Sequence, residues 1–208
     1  NILAAEFINQ GRVIRAVRFE TPEGDADYYT PEGDSMRKAF IRTPVDFARI
    51  SSGFSLGRKH PILNTIRAHR GVDYAAPRGT PIKATGDGKV IFAGTKGGYG
   101  RTVIVQHGRQ YNTLYAHMNS FRRGVRSGTR VRQGQVIGYV GSSGLATGPH
   151  LHYEFRLDGV HRNPITVPLP RAHPVPASLK AEFTDAVTPL VAQLNVLSKT
   201  QIATNTTE

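Results

Sequence analysis

The fold is decided by GTPIKATGDGKVI (residues 79–91) read beside GTRVRQGQVI (residues 128–137). In each, Gly-Thr opens one short run, Pro81-Ile82 or Arg130-Val131. A second glycine, Gly88 or Gly134, then opens another, Lys89-Val90-Ile91 or Gln135-Val136-Ile137. Glycine admits the backbone angles of a turn and β-branched residues fit a pleated surface, so the echo reads as two copies of one turn-strand unit. Working outward, further β-rich runs lie between glycines or polar breaks: Gly88–Gly94, Thr102–Val105, Tyr111–His117, Gln135–Val140 and Leu151–Leu157. Many short strands at this spacing predict a mainly β domain over residues 46–167, an antiparallel β-sandwich or barrel-like fold.

The flanks read differently. Residues 1–45 contain Arg12–Phe19, in which apolar and basic residues nearly alternate, then the turn Thr21-Pro22-Glu23-Gly24-Asp25 and a second run from Ala26 to Thr30. That is a hairpin, too short to make its own core, so it is assigned to an upstream domain or to packing on the main one. Residues 168–208 begin as a connector with Pro168, Pro170, Pro174 and Pro176, then carry Leu179, Phe183, Val187, Leu190, Val191, Leu194 and Leu197 at three- and four-residue steps. This predicts a C-terminal helix with one face packed on this molecule, kinked or interrupted at Pro189. Glycine-turn strands also occur in lipoyl- and biotinyl-type carriers, but no Met-Lys-Met or Asp-Lys hairpin tip is present.

The chain has 208 residues, enough for a sizeable core, and no cysteine, which excludes disulfides and thiolate metal sites. It opens on Asn1 and has no run of 18 apolar residues, so it is read as a piece of a longer chain whose leader or anchor lies outside it. The net charge of +12 is uneven: residues 46–168 hold 18 Lys/Arg against 5 Asp/Glu, including Arg122, Arg123, Arg126, Arg130 and Arg132. Such a surface attracts acidic polymers or serves only as a solvated face. Nucleic acid is not the expected partner, because Trp is absent and no aromatic-basic pattern resembles a base-stacking platform.

The chemistry lies in three segments of that basic region: His69-Arg70-Gly71-Val72-Asp73, the lone His117, and His150-Leu151-His152. Imidazole and carboxylate suit Zn²⁺, and a catalytic zinc takes three protein ligands with the fourth position left for water, so the set suggests a zinc hydrolase. On a strand, i and i+2 share a face, so His150 and His152 project together while Leu151, Tyr153 and Phe155 enter the core. Glu154 shares the histidine face and reads either as an acceptor that orients a histidine or as a solvated side chain. Gly71 and Val72 argue for a loop entering a strand between His69 and Asp73. Taken alone, His117 reads equally well as a structural histidine beside Tyr115.

The sequences HRGVDYAAPRGTPIKATGDGKV, NTLYAHM and GPHLHYEF, in this order, resemble the lysostaphin/LytM-type zinc metallopeptidases over roughly residues 47–166. The resemblance implies a duplicated hybrid β motif and one Zn²⁺ held by His69, Asp73 and His152, with His117 and His150 as unligated catalytic histidines. His107 is read as structural, and His60, His161 and His173 as loop residues without partners. The segment TPEGDSMRKAFIRTPVDFARISSGF resembles the approach to the catalytic domain in Gram-negative murein DD-endopeptidases, which implies peptidoglycan peptide stems as substrate, cut between D-Ala and meso-diaminopimelate. It also implies a periplasmic address in the bacterial cell envelope, upstream regulatory domains or an envelope partner, and a monomer. The competing reading is an inactive LytM-like module that binds cell wall or activates an amidase. Such modules lose metal ligands, and every motif position is kept here.

Overall fold

The computed structural model describes residues 1–59 and 66–205, so His60 lies outside the described residues. The chain forms two compact units, residues 40–169 and the two flanks 1–39 and 170–208 taken together.

In the flanking unit, β1 (Ala4–Asn9), β2 (Arg12–Glu20) and β3 (Ala26–Tyr29) form an antiparallel sheet in the order β1-β2-β3, and α1 (Lys180–Asn205) supplies the helix. The hairpin of the sequence is β2–β3. Its core comes from the other end of the chain: Val17 and Phe19 pack with Val175, Phe183 and Val187. Phe183 stands edge-on to Phe19 and Tyr29, with centroids 5.3 Å and 5.8 Å away. The expected stripe buries Phe183, Val187 and Leu194 but leaves Leu197 exposed. The helix continues through Pro189 rather than being interrupted there. Proline costs the bond from its missing N–H to the carbonyl of Asp185, and packing on either side outweighs that loss.

The central unit holds β4 (Arg49–Ser52), β5 (Ser55–Lys59), β6 (Ile66–His69), β7 (Val72–Ala75), β8 (Pro81–Lys83), β9 (Gly88–Thr95), β10 (Arg101–His107), β11 (Tyr111–Ala116), β12 (Met118–Phe121), β13 (Arg130–Val131), β14 (Val136–Val140), β15 (His150–Leu157) and β16 (Val160–Arg162). The main sheet runs β13-β9-β10-β11-β15-β7-β4, with β16 also on β15. A second sheet, β12-β14-β8, and the ribbon β5-β6 complete the unit. The pairs are antiparallel and the sheets do not close into a barrel. Between the sheets lies a core that includes Ile82, Val90, Val105, Tyr115, Ile137, Val140, Leu151 and Tyr153.

The two echoing segments pair reciprocally. In the first copy, β8 joins β14 of the second (Ile82 opposite Gly138), while β9 joins β13 (Lys89 opposite Arg130). Gly79 and Gly128, which open the copies, share a left-handed φ of 91° and 92° that disfavours any side chain.

Candidate metal centre and active site

The site is built around β15, flanked in the main sheet by β11 and β7. Register sets His152 directly opposite Asp73 on β7 and opposite Ala116 on β11. His117 follows Ala116 at once, where a φ of 57° turns the chain out of the strand. His69 ends β6, and the turn through Arg70 and Gly71 brings it back over β7. Gly71 has to be glycine: a Cβ there would lie 2.6 Å from His152 Cε1 and 2.6 Å from the Tyr153 carbonyl oxygen.

These elements gather three donors. His69 Nε2 lies 3.0 Å from Asp73 Oδ1 and 3.1 Å from His152 Nδ1, and His152 Nδ1 lies 2.8 Å from Asp73 Oδ1. Hydrogen-bond partners settle the tautomers. His69 Nδ1–H donates to the Gly53 carbonyl at 2.7 Å, and His152 Nε2–H donates to Glu154 Oε1 at 3.1 Å. With those protons placed, the nitrogen that each neutral ring turns toward the carboxylate carries a lone pair, which a proton or a metal ion fills. Three lone pairs around one point repel one another unless a positive charge sits among them, which a divalent metal provides. Ligands about 2.0–2.1 Å from a tetrahedral ion would be about 3.3 Å apart, close to the separations found. The pKa values show the same demand for positive charge. Burial pushes His152 down, but hydrogen bonds to Asp73 and Glu154 outweigh it and raise the ring to about 9. Burial likewise pushes Asp73 up, and its two histidine partners hold it far below the usual carboxylate range.

Beside this cluster stand His117 and His150, with ring centroids 4.7 Å apart and His117 6.0 Å from the His152 ring. His117 Nδ1–H donates to the Ser143 carbonyl at 2.7 Å and His150 Nδ1–H to the Gly148 carbonyl at 2.9 Å. Nε2 of both rings has no hydrogen-bond partner among the described residues. Burial pushes His117 down to about 4, with the charge on His150 adding to it and the Ser143 bond opposing it. It is neutral at any ordinary working pH.

Glu154 is more than the sequence showed. Its place on the histidine face suggested either an orienting acceptor or a solvated side chain, and it is buried, with only 1 % exposed. Besides His152, it accepts from Tyr99 Oη at 2.7 Å, from Arg156 Nε at 2.9 Å and from His161 Nε2 at 3.0 Å. Burial raises its pKa, but these partners, His152 first, bring it to about 2. His161, read as a loop residue, is therefore corrected: it sits on β16, which pairs with β15 and carries the ring to Glu154. Tyr99 and Ser143 were missed. Their signal lies in glycines: Gly98 and Gly100 face Ser143, Gly144 and Leu145, and a Cβ on Gly100 would meet the Ser143 carbonyl carbon at 2.4 Å. The backbones of the two loops thus touch directly behind His117. His107 is elsewhere, between the Asp87 carbonyl and the Thr113 hydroxyl, 2.7 Å from each.

Residues 67–164 match the model of Peptidase family M23. The peptidoglycan DD-endopeptidase ShyC of Vibrio cholerae is 47% identical over 183 residues, which cover 88% of this chain and 41% of that protein. The chain thus spans less than half the length of this relative. A zinc-containing peptidase from Vibrio cholerae superposes with a TM-score of 0.61 at 35% identity, covering 82% of this chain and 51% of that one. The catalytic domain of the prophage-encoded M23 protein EnpA from Enterococcus faecalis, crystallised as a point mutant, gives a TM-score of 0.52 at 37% identity, with 62% and 97% covered. The chain belongs to peptidase family M23, a family of metallopeptidases.

Proposed function

We propose that residues 46–167 form a zinc-dependent endopeptidase that hydrolyses peptide cross-links of bacterial peptidoglycan at the bond between D-Ala and meso-diaminopimelate, in the periplasmic part of the cell envelope. The observation that carries this reading is the convergence of His69 Nε2, Asp73 Oδ1 and His152 Nδ1 beside His117 and His150, whose Nδ1 atoms are each committed to a backbone carbonyl. The relatives named for peptidoglycan endopeptidase activity support the substrate. The basic surface suits a polymer rich in peptide carboxylates.

In this reading His69 Nε2, Asp73 Oδ1 and His152 Nδ1 hold the metal. A Zn²⁺ ion bound there supplies Lewis acidity and a water of lowered pKa. His117 and His150 manage the protons. Each Nδ1–H is committed to a carbonyl, so each Nε2 enters the reaction as an acceptor, placed to take the proton of the attacking water. The ring that has gained a proton becomes a donor, first to the developing oxyanion and then to the departing amine. The amide C–N bond breaks, hydroxyl ends on the D-Ala carbonyl carbon, and the proton ends on the diaminopimelate nitrogen. Glu154 keeps His152 in the tautomer that turns Nδ1 inward.

The test is incubation of the zinc-loaded protein with purified sacculi, followed by mass analysis of the released muropeptides. Cross-linked dimers should fall and tetrapeptide monomers rise, and His117→Ala should abolish the change while still binding one zinc per chain. Intact dimers after treatment with protein carrying stoichiometric zinc would overturn the reading.

A further inference from the structure

Two arginines outside the reacting cluster meet at Asn119, two residues past His117. Arg78 Nε donates to Asn119 Oδ1 at 2.9 Å, and Arg101 Nη1 donates to the main-chain oxygen of Asn119 at 3.0 Å. They arrive from different segments. Arg78 lies three residues beyond the end of β7, the strand that carries Asp73. Arg101 opens β10, and its own backbone N–H donates to Ser143 Oγ at 2.8 Å, on the residue whose carbonyl orients His117. Both guanidiniums are therefore tied to the frame that holds a reacting histidine. At about 3.3–3.6 Å per extended residue, Asn119 is within about 7 Å of His117 along the chain.

Arg15 and Arg18 sit beside Glu6 and Glu20, and Arg156 beside Glu154. Arg78 and Arg101 are exposed and make no ion pair with a carboxylate among the described residues. Two cations drawn to neutral oxygens of one residue, the side-chain and the main-chain oxygen of Asn119, repel each other, and an anion between them offsets that repulsion. Asn119 occupies only part of each guanidinium, and the remaining N–H groups keep the planar donor geometry that matches a carboxylate.

We propose that Arg78 and Arg101, fixed by Asn119, form a carboxylate-binding subsite that takes the free carboxylate on the amine side of the scissile bond. This rests on the endopeptidase reading and deepens it. In the D-Ala to diaminopimelate cross-link, the nitrogen that departs is attached to a carbon bearing a free carboxylate. That anion lies close enough to the reacting carbonyl for a site this near His117 to reach it. Internal bonds of a glycine bridge have no such group, so the subsite selects against them.

The test compares a cross-linked tetrapeptide dimer with the same dimer after that carboxylate is converted to a carboxamide, using the zinc-loaded full chain. The expected kcat/KM for the acid exceeds that for the amide by about 10- to 100-fold, mainly through KM. In an Arg78→Ala/Arg101→Ala double variant with unchanged zinc content and thermal melt, the acid-to-amide ratio should fall toward one. Equal rates for acid and amide in the unaltered protein would overturn the subsite, as would a double variant that keeps the preference. Calorimetric binding of both dimers to His117→Ala separates the two readings. Acid-selective binding without hydrolysis by the unaltered protein would remove the endopeptidase and leave the subsite, whereas equal binding of acid and amide would remove the subsite alone.

Discussion

At the residue scale the site is a matter of which nitrogen carries the proton. Four imidazoles are each pinned through one ring nitrogen, and in three cases the nearest acceptor is a backbone carbonyl: Gly53 for His69, Ser143 for His117 and Gly148 for His150. His117 has a consequence that can be measured. Its pKa is about 4 in the folded protein, lowered first by burial, against about 6.5 for a free histidine. Between those values the unfolded chain binds a proton that the folded one does not. This part of the stability is therefore complete above pH 6.5 and is lost as pH falls toward 4, by about 3 kcal/mol in all. Urea denaturation should show that His117→Gln loses less stability than the unaltered protein on acidification from pH 7 to pH 4.5, and equal acid losses would refute it. The five candidate residues could be picked out in the sequence because spacing and residue type mark imidazoles and carboxylates, and the fold gathers them in one place. Their partners were not, since a carbonyl of Gly53 or Ser143 leaves no mark in a side-chain pattern. Glu154 was placed on the correct face but its burial was not readable, because that depends on Tyr99, Arg156 and His161 arriving from other segments.

At the scale of the element, β15 holds the lesson. Its alternation correctly separated Leu151 and Tyr153 from His150 and His152, yet the polar face is covered too, with His152 and Glu154 both buried. Period-two patterning tells one face of a strand from the other, not which face meets water. The longer strands β9, β10, β11, β14 and β15 were recognisable. Short β8 and β13 showed only through the glycine echo, and β4 and β16, at four and three residues, contain too few residues to show a period. The tight turn between β6 and β7 is where an element controls the chemistry. Gly71→Ala would drive a methyl group against His152 and the Tyr153 carbonyl, and backbone cannot yield as a flexible side chain can. The expected result is a drop of about tenfold or more in zinc affinity, measured by competition with a chelator, since displaced ligand geometry costs this much in comparable sites. Unchanged affinity would show that the turn moves freely.

Across the whole molecule, the two ends of the chain make one unit and the middle another. Helical periodicity found α1, but nothing in the local sequence named its partners, Val17 and Phe19, which lie more than 160 residues earlier. Phe183→Ala should cost that unit about 3–5 kcal/mol, since it removes a ring buried against Phe19 and Tyr29. Scanning calorimetry should show a lowered or separate first transition, with the central unit melting as before, and a single unshifted transition would contradict it. Among the described residues no helix is long and apolar enough to cross a membrane. The reciprocal pairing of β8 with β14 and β9 with β13 also governs how this molecule comes into being. Neither copy can complete its own hydrogen-bond ladders, so residues 79–91 wait during synthesis for a mate that emerges some fifty residues later. Closing contacts of such long range is slow, and the nascent chain meanwhile presents open strand edges to its surroundings. The residues proposed to hold the metal fall on both sides of that gap, with residues 69 and 73 before it and residue 152 after it, so the candidate metal centre is expected to be among the last features of the protein to assemble.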